Sequence, residues 1–169
     1  MGTGMADLFK RISLGVYVVG VADGARKSAF TAAWVMQASF DPLLLVVSVN
    51  PRSASHAVLE SGQVFSVNVL ARQQIDLAHH FGMPGAGDKL AGVAWREGLT
   101  GCPLLDEAVA WFECEVTAHH PAGDHVLIVG RVVDGKLAKP ELEPLTYQDT
   151  GNMDGAERLF PAGFIRSVG

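Results

Sequence analysis

Long apolar runs, clustered positive charge and paired cysteines are all missing from this chain. No stretch approaches the ~18 consecutive apolar residues that cross a bilayer. The longest run, Leu43 to Val49, is broken by Ser48 and has the length of a buried strand. A membrane span is therefore not expected. Lysine and arginine total 13 against 18 acidic residues, a net charge of −5, and they form no basic patch. That argues against nucleic acid, whose phosphates call for one. The two cysteines, Cys102 and Cys114, have neither metal-ligand spacing nor a disulfide framework around them. The N-terminus lacks the ordered charged region, apolar core and cleavage site of a signal peptide, so a reducing cytoplasm is the simplest setting.

Apolar residues are plentiful: 49% of the 169 residues are hydrophobic, and mean hydropathy is +0.23. That surplus suggests a buried interface and a homodimer, although a richly packed monomer core accounts for it too. The length fits one domain over 1–169, with a core over residues 6–147 and a C-terminal wrap over 148–169.

The pattern predicts a short helix over Ala6–Ile12 and a strand over Gly15–Ala22, closed by the turn Asp23-Gly24. An extended stretch over Ser28–Ser39 and a strand over Leu43–Asn50 follow. Ser53 reads as the N-cap of a helix that stops at Gly62. Val64–Leu70 alternates as a strand, Gln73–Phe81 reads as a helix stopped by Gly82, and Val93–Glu97 as a short strand. The clearest hairpin joins Ala110–His119 to His125–Val133 through Pro121–Asp124. The expectation is a mainly β fold, an antiparallel barrel with helices in its connections.

Chemistry concentrates in Ala29–His56. The strand ending at Asn50 empties into Pro-Arg-Ser-Ala-Ser-His56, which sets Arg52 and two hydroxyls beside free helix-start N–H groups. A phosphate fits there, because a helix N-terminus carries partial positive charge and unpaired donors. An ordinary Ser-capped helix with a solvated arginine fits the same residues. The glycine loop Gly82–Lys89 lacks Walker spacing, so it reads first as a flexible surface loop, with Lys89 as a lone cation for a phosphate as the lesser alternative. His79-His80 and His119-His120 point to different sides of their elements and make no chelating pair, so no metal is expected. His125, at a hairpin tip on a barrel rim, reads either as an exposed turn residue or as part of a ligand site. No triad or carboxylate pair supports hydrolysis.

Taken in order, Phe30-Thr-Ala-Ala-Trp-Val-Met-Gln-Ala-Ser-Phe-Asp-Pro42, Ser55-His56, Phe65-Ser-Val-Asn-Val-Leu70, Leu77-Ala-His-His-Phe-Gly82, Asp88-Lys-Leu90, Trp111-Phe-Glu-Cys114, Gly123-Asp-His125 and Ile128-Val-Gly-Arg131 resemble the flavin reductase-like family, its flavoredoxin-like branch in particular. The resemblance implies a six-stranded antiparallel split barrel of Greek-key type. It implies a homodimer with FMN at or near the subunit interface, NAD(P)H as electron donor, and a monooxygenase or other electron-transfer partner. A flavoredoxin-like carrier with tightly held FMN and a non-catalytic flavin-binding module remain alternatives to a reductase.

Carried over by position, Thr31, Ala32, Ala33 and Trp34 would flank the isoalloxazine, and Gln37 and Ser39 would lie along ribityl and phosphate. Ser48, Val49 and Asn50 would offer backbone groups to the flavin's polar edge. Arg52, Ser53 and Ser55 would hold phosphate, with His56 close by and Phe81 and Lys89 contributing from the segment around the glycine loop. His125 would face the nicotinamide as the catalytic-side residue. The chain departs from the family pattern at Ala33, which lacks a hydroxyl, at Asp41-Pro-Leu43, which lacks a second proline, and in the tail Gln148–Gly155.

Overall fold

β-branched runs become strands throughout the computed structural model, which describes residues 4–85 and 87–161. In chain order come helix α1 (Met5–Phe9), strands β1 (Tyr17–Ala22), β2 (Lys27–Ala32), β3 (Val35–Ser39) and β4 (Leu44–Val49), and helix α2 (Ala54–Gly62). Strand β5 (Val64–Val69), helix α3 (Ile75–Gly82), short strands β6 (Trp95–Glu97) and β7 (Pro103–Leu105), and long strands β8 (Ala110–Ala122) and β9 (His125–Leu137) follow. Two 3-10 turns, Tyr147–Thr150 and Ala156–Leu159, shape the tail. The first three residues of the expected domain and the last part of the expected wrap lie outside the described residues. Among those described, no helix is long and apolar enough to cross a membrane.

Seven strands form one antiparallel sheet in the order β2-β1-β5-β8-β9-β4-β3, and β6 and β7 pair separately. The two edge strands, β2 and β3, are consecutive in the chain and joined only by Ala33-Trp34. A sheet whose opposite edges share a two-residue link has to curl until they meet. Strands β2 and β4 do approach each other there, so the sheet is a split barrel whose ladder does not close. At this corner the pairing changes partner: Ala32 stands opposite Tyr17 of β1, whereas Val35 stands opposite Val47 of β4. The single extended stretch expected over Ser28–Ser39 is thus bent into two strands. Counted as one bent member, they restore the expected six-stranded barrel. The pairings β1–β5 and β4–β9 join strands distant in sequence and make the Greek-key path.

Inside the barrel pack Val19, Val21, Val47, Phe65, Val67 and Ile128, each at most 1% exposed. Burying a side chain of such size stabilises by roughly 1.5–3 kcal/mol. Gly130 is required beside Phe65, since a Cβ there would lie 2.4 Å from the ring. Outside the barrel, Ala78 and Phe81 of α3 cover Val16 and Val18 together with Leu105 and Leu145. Ser66 and Asn68 occupy the outward positions of β5 yet are fully buried. Ser66 Oγ donates to the Pro103 carbonyl at 2.6 Å, and the Leu105 amide donates to Asn68 Oδ1 at 2.8 Å. These bonds seat β7, which the sequence reading missed, over β5.

Candidate functional site

Two registers bring separate parts of the chain to one end of the barrel. Strand β4 pairs with β9 as far as Val49 opposite Val126, so the next step along that register brings Asn50 beside His125. On the other side of β4, the Ser48 amide donates to the Trp34 carbonyl at 3.0 Å. Trp34, Ser48, Val49, Asn50 and His125 therefore share one rim. The Trp34 and His125 rings lie 4.8 Å apart at 57°, and Trp34 is 53% exposed, with a large apolar face left for a ligand. Gly123, at φ 65°, makes the tight turn that presents His125.

His125 Nδ1 sits 2.7 Å from Asp124 Oδ1. An ionised carboxylate only accepts, so Nδ1 carries the proton and Nε2 is the nitrogen open to a ligand. The hydrogen bond to His125 holds Asp124 below the usual carboxylate range, reinforced by the charge of His125 and, more weakly, of Arg52. Arg52 is thereby placed within electrostatic reach of the same rim. Its amide donates to Asn50 Oδ1 at 2.9 Å, which folds the chain into the start of α2.

The expected phosphate set divides at that helix. Ser53 caps α2, its Oγ accepting from the His56 amide at 3.3 Å, and lies with Arg52 at the accessible start. Ser55 and His56 instead face inward where α2 packs on β1 and β2, and both are buried. Ser55 Oγ is 2.8 Å from Ser28 Oγ, while His56 Nε2 has no hydrogen-bond partner and stands 3.7 Å from Glu60 Oε1.

Beyond the Ala33 corner lies a cleft of about 360 Å³. Thr31 and Ala33 line it from the sheet, His79 and Met83 from the end of α3, and Tyr147 and Met153 from the tail. Thr31 Oγ1 donates to the Ala78 carbonyl at 2.5 Å, so its methyl side is what remains for a ligand. Ala32 points into the barrel core. Phe81 is wholly buried and its side chain packs in the cluster with Ala78 and Leu105, so only its backbone is left for the expected binding role. Lys89 Nζ donates to the Phe81 carbonyl at 3.1 Å, one residue from the cleft-lining Gly82, and burial pushes its ammonium pKa down. Gln37 and Ser39 stand apart: at about 3.3 Å per residue they lie some 10 and 16 Å along β3 from Trp34. Gln37 Nε2 donates to the Ser39 carbonyl at 3.3 Å.

The tail contribution escaped the sequence reading, although Thr146 and Asp149 spell a capping box. Leu145 is fully buried, and the Tyr147 amide donates to the Leu14 carbonyl at 2.8 Å, which docks the tail against the cleft. The cysteines play no part there. Cys102 and Cys114 are buried, and burial pushes their thiols up to about 11 and about 12.

Fold and site together define a split-barrel protein with an apolar, ring-sized cleft between a β corner and its tail. The flavin reductase like domain model matches residues 9–156, and the chain belongs to that family. It is 40% identical over 129 residues to the "Probable flavin reductase" of Rhizobium meliloti (strain 1021), covering 76% of this chain and 41% of that protein. The chain likewise spans about a quarter of the length of the diflavin flavoprotein A 1 of Synechocystis, 26%. Among solved structures, the NADH:FAD oxidoreductase SgcE6 of Streptomyces globisporus C-1027 superposes with a TM-score of 0.78 at 30% identity, over 85% of this chain and 86% of that one. The same protein has been solved in complex with NAD and FAD fragments. BorF, the flavin reductase component of a bacterial two-component tryptophan halogenase, superposes with a TM-score of 0.71 at 31% identity, over 82% and 94%.

Proposed function

We propose that this protein is an NAD(P)H-dependent flavin reductase that binds FMN in the cleft beside Ala33 and takes nicotinamide on the His125 side. The observation that carries the reading is the half-exposed Trp34 ring beside His125, on the residue next to the Ala33 that lines a mostly apolar cleft. The residues present fit a flavin: Trp34 offers a ring face, and Ala33 and the Thr31 methyl offer a flat floor. Arg52 and Lys89 are the cations for its phosphate, with Ser53 beside Arg52. When bound, a flavin supplies hydride acceptance at N5 and onward electron transfer. The chain's own task is to position and to exclude water, and no side-chain acid is required for it. His125 Nε2 is placed to hydrogen-bond the nicotinamide carboxamide or a nucleotide phosphate, with Asp124 fixing its tautomer.

The proposal treats 1–169 as one flavin-binding domain in a cytoplasmic setting, where the nucleotide donor is. It includes a homodimer, supported by the apolar edge formed by Met36, Phe40 and Leu43, and a partner enzyme that receives reduced flavin, supported by the halogenase system that BorF serves. Gln37 and Ser39 belong to that edge and would meet FMN only from a neighbouring copy.

Titration of FMN fluorescence followed by anaerobic mixing with NADH and NADPH tests the reading. Quenching on titration and bleaching of the flavin absorbance with at least one nucleotide are expected. Unchanged FMN fluorescence would falsify the flavin site. Binding without bleaching by either nucleotide would leave an electron carrier or a binding module in place of the reductase.

A further inference from the structure

The tail side of the cleft holds an acceptor that the proposed flavin site does not yet use. Thr31 Oγ1 is committed to the Ala78 carbonyl, and Thr150 Oγ1 donates to the Tyr147 carbonyl at 2.7 Å. Asp154, also on the cleft wall, accepts from Tyr147 Oη at 2.7 Å and from the Ala156 amide at 3.0 Å, one bond on each oxygen. Each carboxylate oxygen accepts a second bond, so Asp154 has acceptor capacity to spare. Two cations that touch the tail, Lys10 and Arg72, are engaged with other carboxylates and amides than Asp154. Lys10 bonds Asn152 at 2.6 Å and Glu157 at 2.7 Å, and Arg72 bonds Glu143 and Asp149 at 3.2 Å. Tyr147 is half-buried, and burial with the Asp154 hydrogen bond pushes its phenol up to about 12, so it remains a neutral donor that fixes the carboxylate. Gln148 Nε2 donates to the Lys10 carbonyl at 2.8 Å and ties this wall to the N-terminal segment.

We propose that Asp154 is a ligand-binding residue: its carboxylate takes a neutral donor of the molecule in the cleft, a hydroxyl or an imide N–H, and turns the phosphate away from itself. The sign follows from charge. A carboxylate attracts O–H and N–H donors and repels a phosphate, while Lys89 Nζ bonds the carbonyl of Phe81, the neighbour of the cleft-lining Gly82. The inference rests on the proposed flavin reading and adds to it which end of the flavin the tail recognises.

Dissociation constants for FMN, riboflavin and lumiflavin, measured by fluorescence quenching on wild type, Asp154→Ala and Asp154→Asn, test it. Riboflavin binding is expected to weaken about three- to tenfold in Asp154→Ala. Lumiflavin carries the ring without the hydroxylated chain, so its binding stays unchanged if Asp154 reads a hydroxyl and weakens equally if it reads the imide. Asp154→Asn preserves an acceptor for Tyr147, and a melting temperature equal to wild type shows that the wall is intact in that variant. Weakened binding there supports the direct contact. Unchanged riboflavin and lumiflavin affinity in both variants overturns the inference while leaving the flavin site standing. FMN that binds more tightly in Asp154→Ala, with riboflavin unaffected, also overturns it, because the carboxylate would then face the phosphate. A wild-type protein that binds none of the three overturns both readings.

Discussion

At the scale of single residues, Arg52 and His125 make separable contributions because Arg52 leads into α2 whereas His125 packs beside Trp34. Arg52 is exposed and shares its field with Asp124, so its pull on a bound phosphate is screened and partly offset. Arg52→Ala is expected to weaken FMN about tenfold, read by fluorescence titration. An unchanged affinity would mean a solvated arginine. Raising ionic strength should shrink the difference between variant and wild type. His125 contacts Trp34 and Asp124 rather than Arg52. In His125→Asn, anaerobic mixing should show slower flavin reduction with FMN affinity close to wild type. Loss of FMN with an intact fold would move His125 to the flavin side of the site. Reduction at the wild-type rate would return it to a plain turn residue.

At the scale of elements, the attachment of the tail depends on pH through two of its carboxylates. Asp149 is held below the usual carboxylate range first by its hydrogen bonds to Thr146 and then by Arg72, and Glu157 by its hydrogen bond to Lys10. Both folded pKa values lie below the ordinary 3.8 and 4.5, so the unfolded chain binds more protons. Their stabilisation is complete above those ordinary values and is lost as pH falls below about 4 through the lowered ones. Hydrogen exchange between pH 6 and pH 3 should therefore show the amides of 146–157 losing protection before those of β5 and β8. Simultaneous loss would mean that Leu145 and its neighbours, not the carboxylates, hold the tail. Most elements were legible because their signals are local. Alternation marked β5, β-branched runs marked β1 and β4, and Ser53 with Gly62 bounded α2 within a residue. The hairpin was visible too, though β8 and β9 run further, to Ala122 and Leu137. What failed was decided by distant contacts. The break at Ala33-Trp34 exists because two different strands, β1 and β4, compete for one extended segment, and no glycine or proline announces it. Strand β7 is three residues long and owes its place to Ser66 and Asn68, so no period within it was readable. Site placement split the same way: the rim residues followed from strand order, whereas Ser55, His56 and Phe81 turned inward for reasons of packing.

At the scale of the whole molecule, the open question is what covers the β3 edge. β3 ends the sheet, so one side of its backbone has no neighbouring strand, and it and the turn after it present large apolar side chains to water. Met36 is 62% exposed, Phe40 90% and Leu43 44%, on a hairpin continuous with Trp34. Single exposed apolar residues are ordinary, but a group of them on an edge strand and the turn that follows it marks an interface. A second copy seated there would bury this edge beside the cleft, so association and flavin affinity should fall together. Phe40→Asp places a charge where the structure makes no packing demand within the chain, and the folded subunit should keep its melting behaviour at low concentration. Light scattering is expected to report a dimer for wild type and a monomer for Phe40→Asp, with FMN bound more weakly by the variant. Dimeric Phe40→Asp would place the interface on another face. A monomeric variant that keeps wild-type FMN affinity would show that each subunit holds its flavin unaided, and Gln37 and Ser39 would then have no part in the site.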